Sequence, residues 1–254
     1  MTAPPVLTQT DGRIGWITLN RPEAMNAVSI RLATGLEEAL ARLAGEVDVI
    51  VIRGAGGNFS VGGDLKELER LRAEGPEAMA ELFESFGRAL ALIAELPVPV
   101  VAAVEGYALA GGFELMQAAD IAIVAEEARI ADQHSNFGQV PGGGSSQRLP
   151  RLVGRQRALA HILTGDRLSG AEAVAWGLAY RAVPAAELPE AARALAEQLA
   201  GKDRAALERT KRLIYDGLEQ PLAEGLARER AEVLAHLGGD EAAAGIAAFT
   251  ERRA

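Results

Sequence analysis

The chain has 254 residues, is 49% apolar, lacks cysteine and carries a formal charge of -9. That is length for one large domain with an appendage, and enough apolar residues for a sizeable core. The composition excludes disulfides, thiolate metal sites and a cysteine nucleophile, and its acidity argues against nucleic acid, whose phosphates require clustered Lys and Arg.

The opening MTAPPVLTQTDG has no basic stretch followed by an apolar run, so it does not read as a signal peptide. Nor is there a run of about 18 apolar residues, so no membrane span is expected and the cytoplasm is the expected location.

Taken in order, VLTQTDGRIGWITL predicts two strands around Asp11-Gly12, a dipeptide suited to a tight hairpin. Ser29 is placed to cap a helix whose Leu32, Leu36, Leu40 and Leu43 share one face. VDVIVIRG reads as a strand buried on both faces. The loop GAGGNFSVGGD follows, then a long helix from about Pro76 to Leu96. VPVVAAV and DIAIVA are further buried strands, with a helix opening at Gly111 between them. Alternating strands and helices predict right-handed crossovers and an α/β layer fold.

From about Arg155 the pattern is mainly helical; Ser169 and Glu172 form a capping box and Gly177 stops that helix. GLAYRAVP is a last edge strand before Pro184. Beyond residue 190 come helices with Asp203 and Asp240 as caps. With no sheet of their own to cover, they are expected to pack on a neighbouring subunit. The expected organisation is a core over residues 1–190 and a helical oligomerisation region over 191–254.

Neither GAGGNFSVGGD nor PGGGSSQRL has the Lys-Ser/Thr ending of a phosphate loop, and Phe59 stands where a dinucleotide fingerprint needs its third glycine. ALAGGFEL differs. Glycines opening a helix leave backbone N–H groups free at the positive end of the dipole, and a residue without Cβ lets a carbonyl approach closely. Glu114 lies at i+3 from Gly111, so a donor and a carboxylate converge. A carboxylate simply favoured by the helix N-terminus is the alternative. Of the three histidines, His134 has polar neighbours, Asp132, Gln133 and Ser135, as in an exposed loop. His161 and His236 sit in apolar helical settings and read as structural or interfacial. No pair has metal-ligand spacing, and no metal is expected.

The segments LNRPEAMNAVS, FSVGGDLKEL, AAVEGYALAGGFELMQAAD, FGQVPGGGSSQRLPRLVG, LTGDRLSGAEAVAWGLAYRAV and GIAAFTERR occur in this order. With them the chain resembles, over essentially its whole length, the crotonase superfamily, the enoyl-CoA hydratase/isomerase family. The resemblance implies a spiral of ββα units and a C-terminal helical region that trimerises, often into a dimer of trimers. It implies an acyl-CoA substrate, no separate cofactor, and a thioester carbonyl held between the N–H groups of Gly63 and Gly111. Ala24, Gly63, Asp64, Leu65 and Lys66 match the family's coenzyme A contacts.

Hydratases of the family use two glutamates. The first is Glu114; the second falls on His134, because the usual GQPEI has become ADQHS. The expected reaction is addition of water to a 2-enoyl-CoA, or its elimination, with Glu114 and His134 sharing the proton work. Alternatives are a double-bond isomerase using Glu114 alone and a β-diketone C–C hydrolase using His134. Such hydrolases pair their histidine with an aspartate where this chain has Gly143. A Clp-type serine protease lacks its Ser-His-Asp register here, and RNA binding is opposed by the acidic balance. Phe83 and Phe86 are candidates for the acyl pocket.

Overall fold

The computed structural model describes residues 3–238; Asp240, expected as a cap, lies outside them. The chain forms two compact units, one through Gly201 and one from Lys202.

In the first unit β1 (Val6–Asp11) and β2 (Ile14–Leu19) make the expected hairpin, with Gly12 at φ +57°. The sheet continues in parallel through β3 (Val49–Gly54) and β4 (Val100–Val104). The chain leaves it in β5 (Tyr107–Leu109), returns in β6 (Ile121–Ala125), leaves again in β7 (Arg129–Ala131) and ends at the far edge in β8 (Arg181–Val183). The strand order is β1-β2-β3-β4-β6-β8, and β5 pairs with β7 in a separate parallel sheet. β4 is buried along its whole length, as its unbroken apolar run requires.

Helix α1 (Ile30–Ala44) starts where predicted: the Ser29 hydroxyl accepts the Leu32 N–H at 3.1 Å, and Leu32, Leu36, Leu40 and Leu43 are all buried. On β2, a methyl group added at Gly15 would touch Leu43 and Val47, whereas the next residue, Trp16, lies under Arg193. Neighbouring residues of a strand point to opposite faces. So α1 covers one face, and α8 (Leu188–Ala200), which carries Arg193, covers the other. This corrects the expectation that helices beyond residue 190 have no sheet to cover: α8 packs on β2, β3, β4 and β6, and the first unit ends after Gly201.

One step recurs along the chain. A strand of the large sheet is followed by a short extended segment in a second layer, and then by a helix. β2 leads to Val28, which bridges Gly63; β3 leads to Ser60, which bridges Ala108; β4 leads to β5 and β6 to β7. The result is the spiral of ββα units that the resemblance implied. The second-layer pieces escape sequence reading because a three-residue strand has no period to detect. Also missed is α2 (Leu65–Glu74), a polar helix whose one buried residue is Leu71. It is followed by α3 (Pro76–Glu95), and then by α4 (Gly111–Ala118), α5 (Ser145–Val153), α6 (Arg155–Thr164) and α7 (Gly170–Trp176), the last with its capping box intact.

In the second unit Asp203 caps α9 (Arg204–Leu218), which lies beside α10 (Leu222–Leu237). The pairs Arg209–Glu232 at 2.7 Å and Arg228–Asp216 at 2.5 Å join them. Among the described residues no helix is long and apolar enough to cross a membrane.

His161 on α6 is buried edge-on between Phe113 and Trp176, at ring separations of 5.3 and 5.7 Å, and its Nε2 has no hydrogen-bond partner. Burial holds its pKa below the usual value, against the opposing charges of Asp132 and Asp166. The unfolded chain takes this proton near pH 6.5, as imidazole does in water, while the folded chain resists it. Folding stability should therefore fall as pH drops below about 6.5. Urea unfolding at pH 7.5 and 5.5 checks this: His161→Leu should lose less stability between the two than the unsubstituted chain.

Candidate active site

Three backbone segments meet at the start of α4. Residues 60–63 lie so close to it that a Cβ on Gly112 would come within 2.2 Å of the Ser60 carbonyl oxygen. One on Gly62 would come within 2.8 Å of the Gly111 nitrogen. Gly62 also holds φ +89°, a conformation side chains resist. The third segment is the end of β7, where the Ala131 carbonyl accepts the Ala110 N–H at 2.9 Å. Ala110 itself adopts φ +47°, unusual for a residue with a Cβ, immediately before Gly111.

Two donors emerge from this packing. Gly111 is the first residue of α4, so its N–H has no acceptor within the helix, and no side chain caps it. Gly63 forms a parallel bridge with Val28 that uses the Gly62 carbonyl and the Asp64 N–H, leaving its own N–H turned away. The two are close: the Gly63 nitrogen lies 3.7 Å from where a Gly111 Cβ would stand. The structure thus brings together the pair expected as oxyanion donors.

Glu114 is buried one turn into α4. Its Oε1 accepts the Gly143 N–H at 2.7 Å and the Ser145 N–H at 3.1 Å, while Oε2 is left free of hydrogen bonds among the described residues. Burial raises its pKa, and the negative charge of Asp132 adds to that; the Ser145 and Gly143 N–H groups and the charge of His134 offset only part. Burial makes the two donors necessary, since a carboxylate withdrawn from water must be hydrogen-bonded or paired.

His134 opens a single 3-10 turn, His134–Phe137, and is half-buried rather than exposed. Its Nδ1 lies 2.7 Å from Oδ1 of Asp132, a wholly buried residue. Burial alone would lower the imidazole pKa; the hydrogen bond to Asp132, the charge of Asp132 and the charge of Glu114 together raise it. Asp132 stays below the usual carboxylate range: against its burial stand the His134 ring, the Ser145 hydroxyl and the His134 N–H. The reading of DQHSN as an exposed polar loop is therefore wrong for Asp132 and His134. Pairing of β7 with β5 draws the segment inward.

The residues matching coenzyme A contacts line up beside the donors. Ala24 lies in a 3-10 turn, Pro22–Ala24, with the exposed Met25 after it, and Leu65 and Lys66 are exposed at the start of α2. The Asp64 side chain is already engaged: it caps α2 through Lys66 and Glu67 N–H groups and pairs with Arg21 at 2.6 Å. Its backbone is engaged as well: the Asp64 N–H donates to the Val28 carbonyl at 2.9 Å and its carbonyl accepts the Leu68 N–H at 2.8 Å. Phe86 reaches the centre, its Cε1 lying 3.5 Å from the position of a Gly111 Cβ. Phe83 is exposed and borders Gly142. Among the described residues no group of three or more His, Asp or Glu is arranged to hold a metal ion.

The sequence model of the enoyl-CoA hydratase/isomerase family matches residues 9–254. A Mycobacterium tuberculosis chain named as a probable enoyl-CoA hydratase is 36% identical over 256 residues, covering 100% of this chain and 98% of that one. Carnitinyl-CoA dehydratase of Salmonella typhi is 38% identical, covering 96% and 94%. Among solved structures, the enoyl-CoA hydratase of Polaromonas sp. JS666 superposes with a TM-score of 0.94 at 32% identity, covering 97% of each chain. That of Bacillus anthracis gives 0.92 at 32%, covering 98% and 96%.

Gly143 tests the packing around the carboxylate. A Cβ there would stand 2.6 Å from Glu114 Oε2 and 2.9 Å from Phe86 Cε1. Gly143→Ala should lower the thermal midpoint, on the order of 1–3 kcal/mol for an overpacked site. Gly87→Ala, on the open side of α3 where nothing lies within 4 Å, should raise it slightly. Thermal unfolding of both variants makes the comparison.

Proposed function

The chain belongs to the enoyl-CoA hydratase/isomerase family, and we propose that it adds water across the double bond of a 2-enoyl-CoA thioester, or removes it in reverse. The observation that carries this is a buried carboxylate, Glu114, whose Oε2 has no hydrogen bond among the described residues, on the helix that opens with the unused Gly111 N–H close to the Gly63 nitrogen. The thioester carbonyl is received by the N–H groups of Gly63 and Gly111. As water oxygen bonds to Cβ, the double-bond electrons move toward that carbonyl and its oxygen becomes an enolate oxygen, which the donors stabilise by roughly 3–4 kcal/mol each. Glu114 Oε2 and His134 Nε2 hold the water. The pair takes one proton from it and gives one to Cα, so it ends each turnover in its starting charge state. No cofactor is needed beyond the coenzyme A of the substrate.

Gly143 speaks against the C–C hydrolase alternative. An aspartate there would collide with Glu114, so in this chain the histidine takes its carboxylate partner from Asp132 instead. The isomerase alternative leaves the raised, half-buried His134 without a task.

The second unit supports assembly as a homotrimer or hexamer. Ile214, Leu218, Leu222, Leu226 and Leu234 are exposed, Leu218 and Leu222 at 70% and 78%. Sedimentation at micromolar concentration should show a trimer or hexamer; a stable monomer would refute this part.

The pH dependence follows from the shifted groups. His134 accepts a proton only when neutral, and its pKa is raised above its ordinary 6.5. Activity should therefore fall on the acid side through an ionisation above about pH 6.5. His134→Gln should remove that limb and lower kcat by about 100-fold or more. Glu114→Gln should be at least as damaging, and the double variant little worse than the worse single one, because the two act as a unit. Loss of enoyl-thioester absorbance measures all three. Full activity and an unchanged profile in His134→Gln would leave Glu114 as a lone base and return the isomerase reading.

A further inference from the structure

Asp132 is the buried acid that the hydration chemistry does not itself use. Among the described residues its side-chain hydrogen bonds are all to one residue, His134. Asp132 follows Ala131, whose carbonyl holds the Ala110 N–H just before Gly111. Its Oδ1 accepts both the His134 N–H at 3.3 Å and the His134 ring Nδ1 at 2.7 Å. Both are reachable because Gln133 turns the chain back at φ +60°, a conformation that a residue with a Cβ adopts only under constraint. The Asp132 Oδ2 is buried without a hydrogen-bond partner among the described residues, so the His134 backbone and ring are what Asp132 holds.

We propose that Asp132 is a positioning residue that fixes His134 in one tautomer, with the proton on Nδ1 and a bare lone pair on Nε2. The argument is one of donors and acceptors. A neutral imidazole has one of each, and an ionised carboxylate only accepts. A ring nitrogen 2.7 Å from Asp132 Oδ1 must therefore be the donor, which leaves Nε2 as the acceptor. An imidazole so held offers an acceptor to water as a carboxylate does, at the register where the resemblance places a second glutamate. A free imidazole would divide its population between tautomers, and the Nε2–H form cannot accept. This inference rests on the role given to His134 above. The groups acting on the ring are Asp132 on its own segment and Glu114 from α4; α6, packed on the same turn, brings His161, which burial keeps neutral.

A purely structural Asp132 would influence folding but neither the ring's tautomer nor the shape of the pH profile. The test uses the full chain with 15N-labelled histidine. Above the His134 pKa, its nitrogen shifts should show Nδ1 protonated and Nε2 bare. Asp132→Asn keeps the shape of the side chain but lets an amide N–H donate to Nδ1, moving the ring proton to Nε2. It should lower kcat by about 100-fold or more with KM for a short enoyl-CoA changed only a few fold. The acid limb should move to lower pH, because the charge that raises the imidazole pKa is gone. A neutral ring protonated on Nε2 in the unsubstituted chain would overturn the proposal, as would wild-type kcat and an unmoved limb in Asp132→Asn. Should the variant not fold, the spectrum of the unsubstituted chain decides alone. Should the chain hydrate no enoyl-CoA at all, the proposed function fails, while the tautomer still decides what Asp132 does.

Discussion

Everything at this site depends on how closely two stretches of backbone approach. Residues 60–63 press against the first turn of α4 with no space for a Cβ at Gly62 or Gly112. That closeness sets the Gly63 and Gly111 N–H groups side by side, a geometry that fixed backbone dipoles hold without reorganising when charge develops nearby. The spiral supplies the approach: each turn drops a short second-layer segment onto its predecessor, and the bridge between Ser60 and Ala108 sets the distance. The glycines are therefore consequences of the fold's pitch as much as of the chemistry.

The second constraint is the burial of charge. A carboxylate withdrawn from water requires hydrogen bonds or a partner. Glu114 takes two N–H groups from the loop before α5, and Asp132 takes the His134 ring and its N–H. Satisfying Glu114 through Oε1 leaves Oε2 free of hydrogen bonds among the described residues. The same logic explains Gly143: its N–H must reach Oε1 while nothing crowds Oε2.

Much of this was legible in the sequence. Helical spacing placed Glu114 beside Gly111, Ser29 and the Ser169–Glu172 pair marked helix starts, and unbroken apolar runs gave the central strands. The ordered motifs led to the right family. What stayed hidden was set by distant partners. Asp132 looks solvated in DQHSN because its burial comes from β5, a strand too short to show a pattern. The reason for Gly143 lies in Glu114, a residue remote in sequence. α8 was misassigned because an amphipathic helix does not declare whether its apolar face meets its own sheet or another chain. The partner of the Asp64 side chain was equally hidden: Arg21, 43 residues away, pairs with it while it caps α2.

The carboxylate behind His134 also limits what position 134 can hold. With Asp132 buried and ionised, a glutamate at position 134 would bring three acids, at 114, 132 and 134, close together, where like charges cannot all stay ionised. An imidazole meets the Asp132 charge with a proton, whereas a carboxylate at the same position would meet it with a second charge. The buried acid thus narrows the side chains that position 134 can hold.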